Sequence, residues 1–210
     1  MITLVLMRHG DTSWSADARM TGRTDVPLSD RGRQKALNAG RALCEVRFDR
    51  FVCSPLSRAL DTATLLTEAH GALGQPAVSD ALIEVDYGLF EGHSAASAES
   101  AGIGEAFRRW RALDGGPVAP CGEDLAGAAD RARDLLYQHA QGTTLAVAHG
   151  TLLRCFASEM LGMGASRYRR LQLDPCNALI MRGDPAHARL VAANVPPESI
   201  PALLAEAPAR

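Results

Sequence analysis

The chain has 210 residues, 47% of them hydrophobic and 22% charged, with a formal net charge of −2. That is enough for one domain with a real core, and the near-neutral charge provides no basic field for non-specific nucleic-acid binding. No apolar run approaches the roughly 18 residues of a membrane-spanning helix, and the opening "MITLVLM" is too short and lacks the basic start of a signal peptide.

The five cysteines, at 44, 53, 121, 155 and 176, are odd in number and form no C-x-x-C pair. Neither a disulfide framework nor a zinc site is expected from that spacing. A reducing cytoplasm is the simplest compartment, and most of the thiols are expected to be small buried hydrophobes.

Residues 2–7 read as a short apolar strand that runs straight into Arg8-His9-Gly10. Residues 24–28 form a loop, Ser29 is a suitable N-cap, and Ala36, Leu37, Ala39, Leu43 and Val46 recur at helical spacing, which predicts a helix near 30–46. "RFVCS" (50–54) reads as a second strand, closed by Pro55. Leu56, Leu60, Ala63 and Leu66 then mark a helix near 56–69. A short strand fits within 77–83. Residues 94–122 are the least regular part, with "FRRWRALDGGPVAPCG" read as helix followed by loop and its "RRWR" (108–111) as either a solvated helix end or, in an insert that would roof the pocket, a substrate contact that sets specificity.

Leu125, Ala128, Ala132, Leu135 and Leu136 support a helix near 123–140. "TTLAVAHG" (143–150) repeats the opening pattern, an apolar strand ending on His-Gly. The amphipathic stretch from Leu152 to Leu161 follows, stopped by Gly162. "ALIMR" and "ARLVAA" suggest a late hairpin, and the Pro/Ala-rich tail from 196 is expected to be loosely held. His70, His93, His139 and His187 lack ligand spacing and read as surface or cap residues.

Strands alternating with helices argue for an α/β fold, a three-layer α/β/α sandwich with a mainly parallel central sheet. In such sheets ligands bind beyond the carboxyl ends of the strands. Both strand-to-His-Gly junctions sit at such ends.

Residues at these junctions suggest a dianion site. Arg8 and Arg58 offer planar forks of donors that match phosphate oxygens. His9 and His149 supply imidazoles, Gly10 and Gly150 permit close backbone approach, and the helices that follow add partial positive charge. Neutral imidazole can attack phosphorus and hold the phosphoryl group covalently. Neighbouring positive charge should keep that imidazole unprotonated, and a carboxyl such as Glu84 can protonate the leaving group. The arginines and second histidine already offset the phosphate charge, so no metal or other cofactor is called for.

The segments "LMRHGDTSWS", "MTGRTDVPLSDRGRQKA", "VCSPLSRALDTA", "LIEVDYGLFEG", "CGED" and "LAVAHGTLLR" together resemble the histidine phosphatase superfamily, the phosphoglycerate mutase-like proteins, from residue 4 to about 154. The resemblance implies that His9 is the phosphorylated nucleophile, that Arg8, Arg58 and His149 complete the phosphate pocket, and that Glu84 is the proton donor. Thr12, Ser15, Thr21, Gly22 and Tyr87 match positions that line the substrate in relatives, and Gly150 offers a backbone N–H. It also implies one domain spanning 1–210, with 93–122 as a cap over the site, and a homodimer as one assembly state.

There are departures from the family pattern. Ser15 stands where many relatives carry Asn, and Trp110-Arg111-Ala112 lacks the second arginine of the W-R-R string that holds a phosphoglycerate carboxylate in true mutases. Gly122-Glu123-Asp124 replaces G-E-S. The chain is also shorter than typical mutases. The W-S near the start, Trp14-Ser15, with the later E-x-x-Y-G-x-x-E-G pattern, Glu84 to Gly92, resembles the sugar-phosphate and broad acid phosphatase branch. The expected activity is metal-independent hydrolysis of small phosphorylated metabolites, sugar phosphates among them, through a phosphohistidine. A cofactor-dependent phosphoglycerate mutase and a non-catalytic phosphate-binding module are the alternatives. A small phosphoester is the expected partner, with neither nucleic acid nor membrane.

Overall fold

The computed structural model describes residues 2–112, 122–138 and 141–205. Six strands form one sheet: β1 (Thr3–Arg8), β2 (Arg50–Cys53), β3 (Ala77–Val78), β4 (Thr143–Ala148), β5 (Ala178–Arg182) and β6 (Arg189–Val195), in spatial order β3-β2-β4-β1-β5-β6. The first four strands pair in parallel, and β5 runs antiparallel to both its neighbours. The parallel strands read as unbroken apolar runs because helices cover both faces.

Alternate residues of each strand serve opposite layers. On one face Leu4, Leu6, Val52, Ala146, Ala148, Leu179 and Met181 pack with α6 (Leu125–Tyr137) and α7 (Gly150–Met160). On the other, Val5, Met7, Phe51, Cys53, Leu145, Val147 and Ile180 pack with α2 (Asp30–Ala42) and α3 (Ser57–His70). Removing a side chain such as Leu6, fully buried, would cost about 2–5 kcal/mol in transfer and cavity terms. The remaining helices are α1 (Ser13–Ala16), α4 (Ala95–Ser100), α5 (Gly104–Ala112) and α8 (Ile200–Ala205).

The register of β1 on β4 sets up the site. Arg8 lies opposite Ala148, and the His9 N–H donates to the Ala148 carbonyl at 2.9 Å. The two His-Gly junctions, 140 residues apart in sequence, therefore leave the sheet side by side. Ser29 caps α2 as expected, accepting from the Gly32 N–H at 3.1 Å. Gly10 has no positive φ; its use is proximity, since a Cβ there would lie 2.7 Å from the Gly32 carbonyl oxygen. The strand end is thereby packed against the first turn of α2.

Several local expectations are corrected. The helix expected to reach 46 ends at Ala42, although Val46 still packs against the core. The strand expected within 77–83 is only Ala77–Val78, because Ser79 accepts from the Ala81 N–H and caps a 3-10 turn over Asp80–Leu82. The tail from 196 is held as far as Ala205: Ile200 is fully buried, and Arg182 donates to the Leu203 carbonyl at 2.7 Å.

His70 is buried rather than on the surface, donating from Nε2 to the Val46 carbonyl at 3.0 Å and accepting at Nδ1 from Ala72. His93 is half-buried and His187 exposed, while His139 and Cys121 lie outside the described residues. Of the other cysteines, 53, 155 and 176 are buried and Cys44 is exposed. The late hairpin is present as β5 and β6. Among the described residues no helix is long and apolar enough to cross a membrane.

Candidate active site

A cavity of about 500 Å³ opens at the carboxyl edge of the sheet. Arg8, His9, Ser15, Thr21, Gly22, Arg58, Glu84, Tyr87 and Gly150 line it. Two of the residues expected at the site do not. Thr12 is buried to one side, its N–H donating to the Ser15 hydroxyl at 3.1 Å to shape the start of α1. His149 is fully buried behind His9, with ring centroids 5.2 Å apart at an angle of 60°.

His9 donates from Nδ1 to the Gly10 carbonyl at 2.7 Å, which leaves the lone pair on Nε2. Arg58 Nε donates to that Nε2 at 3.3 Å. Burial is the main cause that holds the His9 pKa well below the usual histidine range, with the Arg58 and Arg8 guanidiniums adding to it. His149 is held well below that range in the same way, by burial first and then by Arg58 and His9. Both rings are therefore neutral at pH 7.

Arg58 is fully buried, although α3 read alone would place it in solvent. Its Nη1 donates to the Thr24 carbonyl at 2.9 Å and its Nη2 to the Gly22 carbonyl at 2.6 Å. The loop supplying those carbonyls is clamped by Glu91, whose carboxylate accepts from the backbone N–H groups of Arg23 and Thr24 at 2.7 and 2.8 Å. Gly22 takes a φ of +50°, and a Cβ there would run into the Glu91 carboxylate. Arg8 donates from Nη1 to the Leu173 carbonyl at 2.9 Å, while its buried Nε has no partner among the described residues.

Glu84 comes from an irregular segment but is pinned by the N-terminus of α7. Its Oε1 accepts from the N–H groups of Val85 and Leu152, each at 2.9 Å, and its Oε2 from Thr151 at 3.2 Å. Oε2 is thus the less committed oxygen. The Tyr87 hydroxyl donates to the Thr151 hydroxyl beside it.

Sequence reasoning missed the supporting residues. The Thr62 hydroxyl accepts from the Gly10 N–H at 3.1 Å. Ser54 stands 2.7 Å from His149 Nε2. Both lie in the quoted segment "VCSPLSRALDTA", Ser54 just past the end of β2 and Thr62 in the second turn of α3, where only the strand-end position of Ser54 offered a signal. Glu91 lies in "LIEVDYGLFEG". Of the two readings of "RRWR", the one over the pocket fits Trp110, which is buried, and Arg111, both of which line the cavity. The segment expected as a cap, 93–122, is described as far as Ala112 and again at Gly122.

Residues 4–196 match the family model of the histidine phosphatase superfamily, branch 1. A relative from Gloeobacter violaceus named 2,3-bisphosphoglycerate-dependent phosphoglycerate mutase 2 is 33% identical over 184 residues, 84% of this chain and 83% of its own. Mycobacterial glucosyl-3-phosphoglycerate phosphatase, solved with vanadate, superposes with a TM-score of 0.81 at 28% identity, covering 93% of this chain and all of its own. An Entamoeba histolytica phosphoserine phosphatase variant bound to phosphoserine superposes with a TM-score of 0.77 at 26% identity, covering 92% of this chain and 97% of its own. The chain belongs to the histidine phosphatase superfamily, branch 1, and is an enzyme of the phosphatase type.

Proposed function

We propose that the protein hydrolyses phosphomonoesters of small metabolites through a phosphohistidine at His9. The observation that carries this reading is a neutral buried imidazole with its Nδ1 proton committed to Gly10 and its Nε2 faced by Arg58. Nε2 attacks phosphorus, the ester P–O bond breaks, and the leaving oxygen takes a proton from the Glu84 carboxyl. Water then attacks the phosphohistidine and gives a proton to the Glu84 carboxylate. The N–P bond breaks, and inorganic phosphate leaves.

Arg8 Nε and His149 Nδ1, buried without protein partners among the described residues, gain partners from phosphate oxygens in this scheme. The guanidiniums meet the phosphate charge, so the scheme uses no metal. The test is release of phosphate from p-nitrophenyl phosphate and from a panel of phosphorylated metabolites. Activity should survive EDTA, fall with vanadate and vanish in His9→Ala. Wild-type turnover by that variant would overturn the nucleophile assignment.

The Gloeobacter relative favours a second reading, a cofactor-dependent phosphoglycerate mutase. A coupled assay for interconversion of 2- and 3-phosphoglycerate, primed with bisphosphoglycerate, separates the two. Transfer much faster than phosphate release would favour the mutase.

A further inference from the structure

Glu84 sits in a segment, 83–87, that belongs to no helix or strand. The nearby Leu82 and Val85 are fully buried, so the polar backbone groups around them need partners that no regular element of their own supplies. Arg131 of α6 supplies several. Its Nη1 donates to the Ala81 carbonyl at 2.7 Å, and its Nη2 reaches the Glu84 carbonyl at 3.5 Å. The same guanidinium forks onto Glu123, Nε to Oε1 at 2.9 Å and Nη2 to Oε2 at 3.1 Å.

Glu123 carries the grip to the other side of Glu84. Its Oε2 accepts from the Asp86 N–H at 3.3 Å, and its own N–H donates to the Asp86 carbonyl at 3.0 Å. One bidentate ion pair thus holds the chain both before and after the expected proton donor. Arg23 extends the pair, with Nη2 at 3.3 Å from Glu123 Oε2 and Nη1 at 3.8 Å from Asp86 Oδ2. Arg23 lies in the loop whose Gly22 and Thr24 carbonyls hold Arg58 beside His9. Burial alone would raise the Glu123 carboxyl, but Arg131, Arg23 and the Asp86 N–H outweigh it and hold its pKa below the usual carboxylate range. The pair is therefore ionised at neutral pH.

We infer that the Arg131–Glu123 pair positions Glu84 for proton transfer, fixing the backbone from which its carboxyl meets the leaving oxygen. Neither residue lines the cavity, so the pair acts through Glu84 and not on substrate. The inference rests on the hydrolytic reading for the role of Glu84 as the acid. A displacement of about 1 Å at a reacting group is enough to cost about 10²-fold in rate.

The experiment uses the full chain and two independent readouts. Amide hydrogen exchange reports the seat of the carboxylate. Arg131→Met should speed exchange about tenfold at Thr151 and Leu152, whose N–H groups donate to Glu84, and leave the middle of α7 unchanged. Leaving-group dependence reports the chemistry. In the same variant kcat should fall about 10²-fold on an alkyl phosphate and much less on p-nitrophenyl phosphate, with KM little changed on either. Arg131→Lys keeps the charge without the fork and should lose less. In a Glu84→Gln background, Arg131→Met should cost almost nothing further on the alkyl phosphate.

Unchanged exchange at Thr151 and Leu152 overturns the assignment. So do equal losses on the two substrates when Glu84→Gln itself discriminates between them, since a merely structural pair would depress both alike. If Glu84→Gln does not discriminate, the role of Glu84 as the acid falls, and faster exchange at the two amides supports the positioning on its own. Should Arg131→Met fail to fold, Glu123→Gln, which keeps the shape and drops the charge, is read by the same two measures.

Discussion

Arg58 donates from Nε to Nε2 of His9 across 3.3 Å, with both side chains buried. A cation facing the ring nitrogen that would accept a proton opposes protonation there, in addition to the larger effect of burial. The His9 ring is therefore neutral at neutral pH and below, the state the proposed attack on phosphorus needs. In an NMR titration the His9 ring should stay neutral to well under pH 6.5. Arg58→Met should move its titration upward, towards 6.5, and move the acid limb of kcat/KM in the same direction. An unchanged His9 titration in that variant would mean that Arg58 is not what tunes the ring.

The same shifts bear on stability. Both His9 and His149 have folded-state pKa values below the unfolded value of about 6.5. As pH falls below 6.5 the unfolded chain takes up protons that the folded chain does not, so folding stability drops with pH in that window. The melting temperature should be lower at pH 5.5 than at pH 7.5. His149→Gln should flatten this slope, because it removes one of the two groups that titrate only on unfolding. Equal slopes in the two proteins would contradict the buried neutral state of His149.

Much of this site was legible in the sequence, for a physical reason. Apolar runs that end on His-Gly must be strands leaving a covered parallel sheet, and such ends share an edge. That argument places His9 and His149 together without coordinates, and the ring separation of 5.2 Å agrees. What escaped were the contacts between segments with no common period. Arg169 meets Trp110 across 59 residues of sequence. Arg154 stood in the quoted "LAVAHGTLLR" with no role of its own. Thr12 matched a substrate-lining position, yet its backbone and hydroxyl are spent on Ser15. The tail looked loose because Ala and Pro carry little signal, while one buried isoleucine at 200 was enough to dock it.

The two oxygens of Glu84 are held unequally: Oε1 has two donors at 2.9 Å, and Oε2 has one at 3.2 Å. Glu84→Gln keeps the size but cannot deliver a proton. For an alkyl phosphate, whose leaving oxygen needs that proton, kcat should fall about 10²–10⁴-fold. For p-nitrophenyl phosphate, whose leaving group departs as a stable anion, the loss should be much smaller. Equal losses on both substrates would show that Glu84 acts on binding or folding rather than on the leaving group.

Ser54 decides which nitrogen of His149 carries the proton. Its oxygen accepts from the Leu56 N–H at 3.3 Å and stands 2.7 Å from His149 Nε2. Among the described residues the hydroxyl hydrogen has no other acceptor, which assigns it to Nε2 and leaves the ring hydrogen on Nδ1. That Nδ1 is the buried nitrogen without a protein partner among the described residues, so under the proposed hydrolytic scheme the tautomer offers a donor to the phosphate. Ser54→Ala removes the bias and strands Nε2 in an apolar setting, at a cost of about 1–3 kcal/mol. If that cost is felt in the transition state, kcat/KM should fall about tenfold, with His9 phosphorylation slowed in step. Ring ¹⁵N shifts of His149 should change from Nδ1–H towards a mixture of tautomers. A variant with normal turnover and an unshifted His149 would show that the hydroxyl merely fills space beneath the ring.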